Sequence, residues 1–165
     1  MRRTTLLIST GVAVFIGTTV WWATARDSIS DDPDELVVIS VDGTQMSKEP
    51  EDRVFARGSE FLYDCAVLGR VAITDPTTRR EIIAAVKADI RAGSSTRAKC
   101  FQPRHVLRVV KDGVVVDVVV CYQCHNYEIH RNGGPHTGLT PAIGDGSRPL
   151  LNRILTGAGV AIVPD

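Results

Sequence analysis

The residues of this chain best suited to chemistry are four cysteines, Cys65, Cys100, Cys121 and Cys124. The last two belong to the string Cys121-Tyr122-Gln123-Cys124-His125, in which one turn of backbone offers two sulfurs to a common partner. The identity of that partner decides the chemistry. Bonded to each other or to Cys100 and Cys65, the sulfurs are disulfides that staple the Gly93–Pro103 loop to a sheet, and four cysteines allow three full pairings. Around zinc, Cys121 and Cys124 give two soft ligands, and Cys100 with Cys65, His105 or His125 completes a tetrahedron. A structural staple or a metal site is the leading expectation.

Two alternatives stay open beside it. The string is also the Cys-x-x-Cys-His of c-type haem attachment, with thioethers from Cys121 and Cys124 and an axial imidazole from His125. The second axial ligand would then be His130 or His136, because Met46 lies far upstream. Thiol–disulfide exchange is the other alternative. In thioredoxin-like sites a helix N-terminus lowers the first thiol's pKa, and residues 125–138 do not read as a helix.

No glycine-rich phosphate loop, HExxH helix or Gly-x-Ser-x-Gly elbow is present. No acid–base pair can be brought within reach on sequence grounds, so a binding or structural module is expected rather than an enzyme. The 165 residues carry 19 basic and 19 acidic side chains, a balance that argues against nucleic acid as a partner. Nothing in the sequence names a protein partner.

The chain opens on Arg2 and Arg3, followed by Leu6–Ala25, a run without charge. Such a run is long enough to cross about 30 Å of hydrocarbon. It reads as a signal anchor, with Trp21 and Trp22 in the interfacial belt, or as a signal peptide cleaved after Ala23-Thr24-Ala25. Either way the body is expected outside the cytoplasm, held to the membrane through residues 6–25 or released, where disulfides persist. Residues 26–35 read as an acidic linker and residues 36–165 as a single domain.

Elements that would position the cysteines can be read in order. Leu36–Val41 is a short β-run, and Phe61–Thr74 is a strand with a bulge or bend at Gly69. Asp75-Pro76 opens a helix whose Ile82, Ile83, Val86 and Ile90 share a face, and Gly93 stops it. The strongest β signal is the hairpin Val106–Val110 and Val114–Val120 around Asp112-Gly113. Counting from that turn, Lys111 faces Val114, Leu107 faces Val118 and Val109 faces Val116 on the core side. Arg108 faces Asp117 on the other side. Residues 127–131 continue or repeat the strand, 132–146 read as a long surface loop, and Ser147 caps a last helix with Leu150, Leu151, Ile154 and Leu155 on one face. The expected fold is α+β, a small antiparallel sheet with helices packed on one face, behind the hydrophobic leader.

The register carries the chemistry with it. Continued past the strand ends, it sets His105 against Val120 and returns the chain at Cys100 towards Cys121, Cys124 and His125. Nothing fixes Cys65.

The strings Cys100-Phe101-Gln102-Pro103-Arg104-His105 and Cys121-Tyr122-Gln123-Cys124, with Leu151-Asn152-Arg153-Ile154-Leu155 after them, carry a resemblance. Over about residues 60–163 the chain resembles an uncharacterised group of small exported bacterial proteins. Their pattern is Cys-Phe-x-Pro-Arg-His, a hairpin, then Cys-(Phe/Tyr)-x-Cys. The resemblance implies that Cys100, Pro103, Arg104, His105, Cys121 and Cys124 act as one unit. It implies no activity.

Overall fold

The computed structural model describes residues 28–48, 58–96, 98–135 and 142–164. The leader and His136 lie outside them. Among the described residues no helix is long and apolar enough to cross a membrane.

Among the described residues, seven strands form one antiparallel sheet: β1 (Glu35–Asp42), β2 (Phe61–Leu62), β3 (Cys65–Ala72), β4 (His105–Lys111), β5 (Val114–Cys121), β6 (Asn126–Arg131) and β7 (Gly134–Pro135). Their spatial order is β2-β3-β1-β4-β5-β6-β7. Helix α1 (Pro76–Ala92) joins β3 to β4, and α2 (Arg148–Gly157) follows β7. Both β3 and β4 pair antiparallel to β1, so they run parallel to each other. Joining them takes a long crossover, and α1 is that crossover, laid across one face of the sheet. The result is the expected α+β mix.

The alternation of the valine runs decides which side α1 covers. Val38, Leu107, Val109, Val116 and Val118 point to one face and form the main core with Ile82, Ile83 and Val86 of α1 and Leu151 and Leu155 of α2. The odd-phase residues Ile39, Val41, Val106 and Val119 build a smaller cluster on the reverse face, together with Cys65. At the start of α1, Asp75 accepts the backbone N–H of Thr78 at 2.7 Å, and Gly93 ends the helix at φ +62°.

The β4–β5 register is the one counted from Asp112-Gly113, with Lys111 opposite Val114, Leu107 opposite Val118 and Arg108 opposite Asp117. Both turn residues are left-handed, at φ +50° and +74°, as a type I′ turn demands. Gly113→Val is therefore expected to destabilise the domain by about 1 kcal/mol or more, because a β-branched residue resists positive φ. Thermal melting checks it, and an unchanged midpoint would mean the turn tolerates what its geometry forbids.

Several segments differ from their sequence reading. The run read as one strand over Phe61–Thr74 is two strands, β2 and β3, turned at Tyr63-Asp64 with φ of +52° and +60°. Contacts on the reverse face hold Tyr63 there. Its hydroxyl donates to Asp117 at 2.7 Å, and its ring stacks on His130 with centroids 3.8 Å apart. Asp117 also takes the Arg108 fork at 2.9 and 2.7 Å, so the cross-strand pair becomes a three-residue node around a buried carboxylate. His130 is mostly covered, its side chain 11% exposed. The bulge or bend expected at Gly69 is a bulge, since the pairing with β1 passes from Ser40 opposite Gly69 to Val41 opposite Val67, and Gly69 is also a close approach, where a Cβ would sit 2.7 Å from Val160.

The acidic stretch before β1 is docked on the domain. Ile29 is buried in the main core, and Asp34 accepts from Lys111 and from the Asp112 N–H. The end of the presumed surface loop is likewise packed, with Ile143 fully buried. Ser147 stands at the N-cap position of α2 but makes no capping bond with its side chain; its hydroxyl turns to Asp89 instead.

Candidate functional site

At the end of β5 the chain turns through Cys121-Tyr122-Gln123-Cys124-His125 into β6. The turn is closed by the His125 N–H donating to the Tyr122 carbonyl at 3.1 Å, with His125 left-handed at φ +52°. Cys121 and Cys124 are joined as a disulfide with Cα atoms 5.3 Å apart. The backbone N–H of Cys124 points at the Cys121 sulfur, 3.2 Å away. Both cysteines are buried.

Cys100 comes to this turn from the far side. β4 begins only at His105, and the segment before it is pinned to the end of β1. There the Gly43 N–H donates to the Pro103 carbonyl at 3.0 Å. Only glycine fits at 43, because a Cβ would lie 2.5–2.6 Å from Pro103 atoms. From Pro103 the chain runs back to Cys100, whose sulfur lies 3.0 Å from that of Cys124. Cys100 is exposed and is a free thiol. Three sulfurs thus meet in one place, two bonded and buried, the third free and open to solvent.

The other candidate residues are placed elsewhere. Cys65 sits in the reverse-face cluster with its thiol directed at the Tyr63 carbonyl, 3.3 Å away. His105 faces the main core, where its Nε2 meets Asn152 Oδ1 at 2.7 Å and its ring packs edge-on against Tyr122. Burial pushes its pKa down to about 4, so the imidazole is neutral at pH 7. His105 Nδ1 is buried without a partner among the described residues. His105 also lines a cavity of about 10 Å³ with Gln102, Arg104, Tyr122, Gln123 and Arg148. That is room for one water.

Arg104 spends its guanidinium on carbonyls. It donates to Val163, Pro164 and Gln102 and so ties the 163–164 segment to the start of β4. His125 holds the Ile143 carbonyl through Nδ1 at 3.2 Å. His130 lies opposite Asp117, four residues along β6 from Asn126, or about 13 Å. The two imidazoles are engaged separately, His125 with the Ile143 carbonyl and His130 stacked on Tyr63. Among the described residues no three His, Cys, Asp or Glu side chains are grouped to hold a metal ion. A roomier cavity of about 350 Å³ lies at the opposite end of the hairpin, lined by Val109, Val114, Val116, Lys111 and Arg131 among others, away from the sulfurs.

Sequence reasoning missed the residues that frame the sulfur turn. Tyr122, inside the disulfide ring, is buried, and its hydroxyl meets Ser147 Oγ at 2.7 Å. Burial pushes its phenol up, well beyond the usual range. Ser147 Oγ donates in turn to Asp89 of α1, which also accepts the N–H groups of Gly146 at 3.0 Å and Ser147 at 2.7 Å. Asn126 holds the Cys100 segment from below. The one signal available for these was Gly144-Asp145-Gly146-Ser147, a string small enough to wrap a buried side chain.

Set against protein-family models, curated proteins and solved structures, the chain shows no significant match to any.

Proposed function

We propose that this domain is an exported thiol–disulfide exchange module, with Cys100 as its accessible sulfur and Cys121–Cys124 as its stored disulfide. One observation carries the reading: a free, exposed thiol stands 3.0 Å from a buried disulfide. A pure staple has no use for that third sulfur. A disulfide across a four-residue ring is also a poor staple, worth about 2 kcal/mol of chain entropy, against about 3.5 for a bond between Cys100 and Cys124. The leader is consistent with an oxidising compartment, in which such a bond persists.

The chemistry balances without further reagents. The Cys100 thiolate attacks the Cys124 sulfur, a Cys100–Cys124 bond forms, and the electron pair of the broken bond goes to Cys121. The Cys124 N–H, already aimed at the Cys121 sulfur, stabilises that leaving thiolate, and the proton lost from Cys100 ends there. The disulfide now has its exposed sulfur at Cys100. A substrate thiolate attacks that sulfur and expels Cys124. A second thiol of the substrate then closes the substrate's disulfide and releases Cys100. The substrate dithiol loses two electrons, and the module is left with three thiols.

The same three sulfurs support a second reading, since once reduced they offer a soft donor set to zinc. Intact mass spectrometry of the exported protein, native and denatured, with peptide mapping after acid quench, separates the two. The exchange reading expects one disulfide, distributed between Cys121–Cys124 and Cys100–Cys124, and loss of substrate oxidation in Cys100→Ser. A zinc adduct with all three sulfurs reduced would replace it with the metal reading, and a permanently free Cys100 with no Cys100–Cys124 species would leave only a turn-closing disulfide.

A further inference from the structure

Asn126 opens β6 directly across from Cys121 in the β5–β6 ladder. Its side chain reaches back to the Cys100 segment, where Nδ2 donates to the carbonyl of Ala98 at 2.9 Å and to that of Cys100 at 3.1 Å. Two carbonyls facing one end of the amide identify that end as the NH2 group. The main chain adds a third bond, from the Ala98 N–H to the Cys124 carbonyl at 3.1 Å. The 98–100 segment has no helix or strand of its own to hold it. Among the described residues, two of the three bonds that fasten its backbone to the sulfur turn and the start of β6 come from one side chain. Oδ1 of the same amide is buried and meets no donor among the described residues, so the amide is held by the Cys100 segment and not by a network on its acceptor side.

We infer that Asn126 is the positioning residue of the sulfur site: by binding the Cys100 and Ala98 carbonyls it keeps the Cys100 sulfur within attacking distance of Cys124. The inference rests on the exchange reading above. A thiol on a loose loop competes for its partner at millimolar effective concentration, whereas one held in near-attack geometry gains orders of magnitude. Asn126 touches neither reacting sulfur by any bond seen here. Its effect passes through the backbone of residue 100, and a change at 126 acts on the rate at which the two disulfides interconvert while leaving the thiol itself exposed.

The test uses the full chain with Asn126→Asp, which keeps the shape and loses both donors, and Asn126→Ala, which loses them without adding charge. Conversion of Cys121–Cys124 to Cys100–Cys124 is followed by acid quench and peptide mapping, beside alkylation of Cys100 by iodoacetamide and the thermal midpoint. Both variants are expected to slow the conversion by roughly 10-fold or more. Alkylation of Cys100 stays within about two-fold of the parent, since the thiol was already open to solvent. A lowered midpoint with an unchanged conversion rate overturns the inference, because Asn126 is then only structural. Slowing in Asn126→Asp but not in Asn126→Ala also overturns it, since the added charge is then the cause. If the parent protein never forms Cys100–Cys124, the exchange reading falls and takes this inference with it.

Discussion

Acidifying the protein from pH 6.5 to pH 4 is expected to remove about 3 kcal/mol of stability through one residue, His105. The cause is burial. The ring is shut between the sheet and Tyr122, and a charge there would lose its water. The Asn152 bond favours the charged form but does not offset burial, and the charges of Arg148 and Arg104 oppose it further. The folded pKa lies below the unfolded one. Above pH 6.5 both states are neutral at this residue and its contribution is fully present. As the pH falls through 6.5 the unfolded chain takes up the proton and the folded chain does not, so stability drains away until the folded ring titrates near pH 4. The upper half of this window lies above the range of Asp34, Glu60 and Asp75, whose partners hold their carboxyls below the ordinary values. Urea unfolding at half-unit steps reads the slope, and His105→Gln should flatten it between pH 6.5 and 5. An equally steep slope in that variant would mean the buried ring is not its source.

What the sequence discloses and what it conceals divide along one physical line. The β4–β5 hairpin was legible because local chemistry sets it: Asp112-Gly113 selects the turn, and a period of two then assigns every side chain to a face. Helix α1 was legible for the same reason, with Asp75 and Gly93 at its ends. From the hairpin register followed the convergence of Cys100 on Cys121 and Cys124. The Tyr63-Asp64 turn was hidden because neither residue advertises positive φ, and the contacts that hold it come from strands more than fifty positions away. Asn126 was hidden too, since its partners are backbone carbonyls, which carry no signature in a sequence. Cys65 has the right residue type for the sulfur cluster, but its place depends on the pairing of β2 with β3, which no local signal reveals.

Asp89 shows the same concealment with a larger consequence, and Asp89→Ala is expected to cost about 3–5 kcal/mol. In sequence it is one acid among the basic residues of α1, and nothing there marks it out. In the fold it is buried. Its carboxylate receives the Gly146 and Ser147 N–H groups and the Ser147 hydroxyl, while its carbonyl receives the Gly93 and Gly144 N–H groups. Gly144 and Gly146 allow the loop to close this tightly, because a Cβ at either would stand 3.0–3.1 Å from Asp89 Oδ1. Each bond to a charged acceptor contributes about 1.5–3 kcal/mol, and truncation leaves the buried Ser147 N–H with nothing to receive it. The bond energies do not add in full, because the three donors sit on two adjacent residues and relax together. Asp89→Asn should cost less, about 1–3 kcal/mol, since one oxygen still accepts while the amide NH2 confronts a donor. Denaturant unfolding measures both variants, and a loss below about 1 kcal/mol for alanine would show that the 144–147 loop closes without the carboxylate. The damage should also reach the sulfur turn, because Ser147 is the partner of the Tyr122 hydroxyl inside the disulfide ring. Loosening of α2 and the loop in Asp89→Ala should therefore appear in hydrogen exchange together with loosening of residues 121–125, a joint response that two independent surface loops would not give.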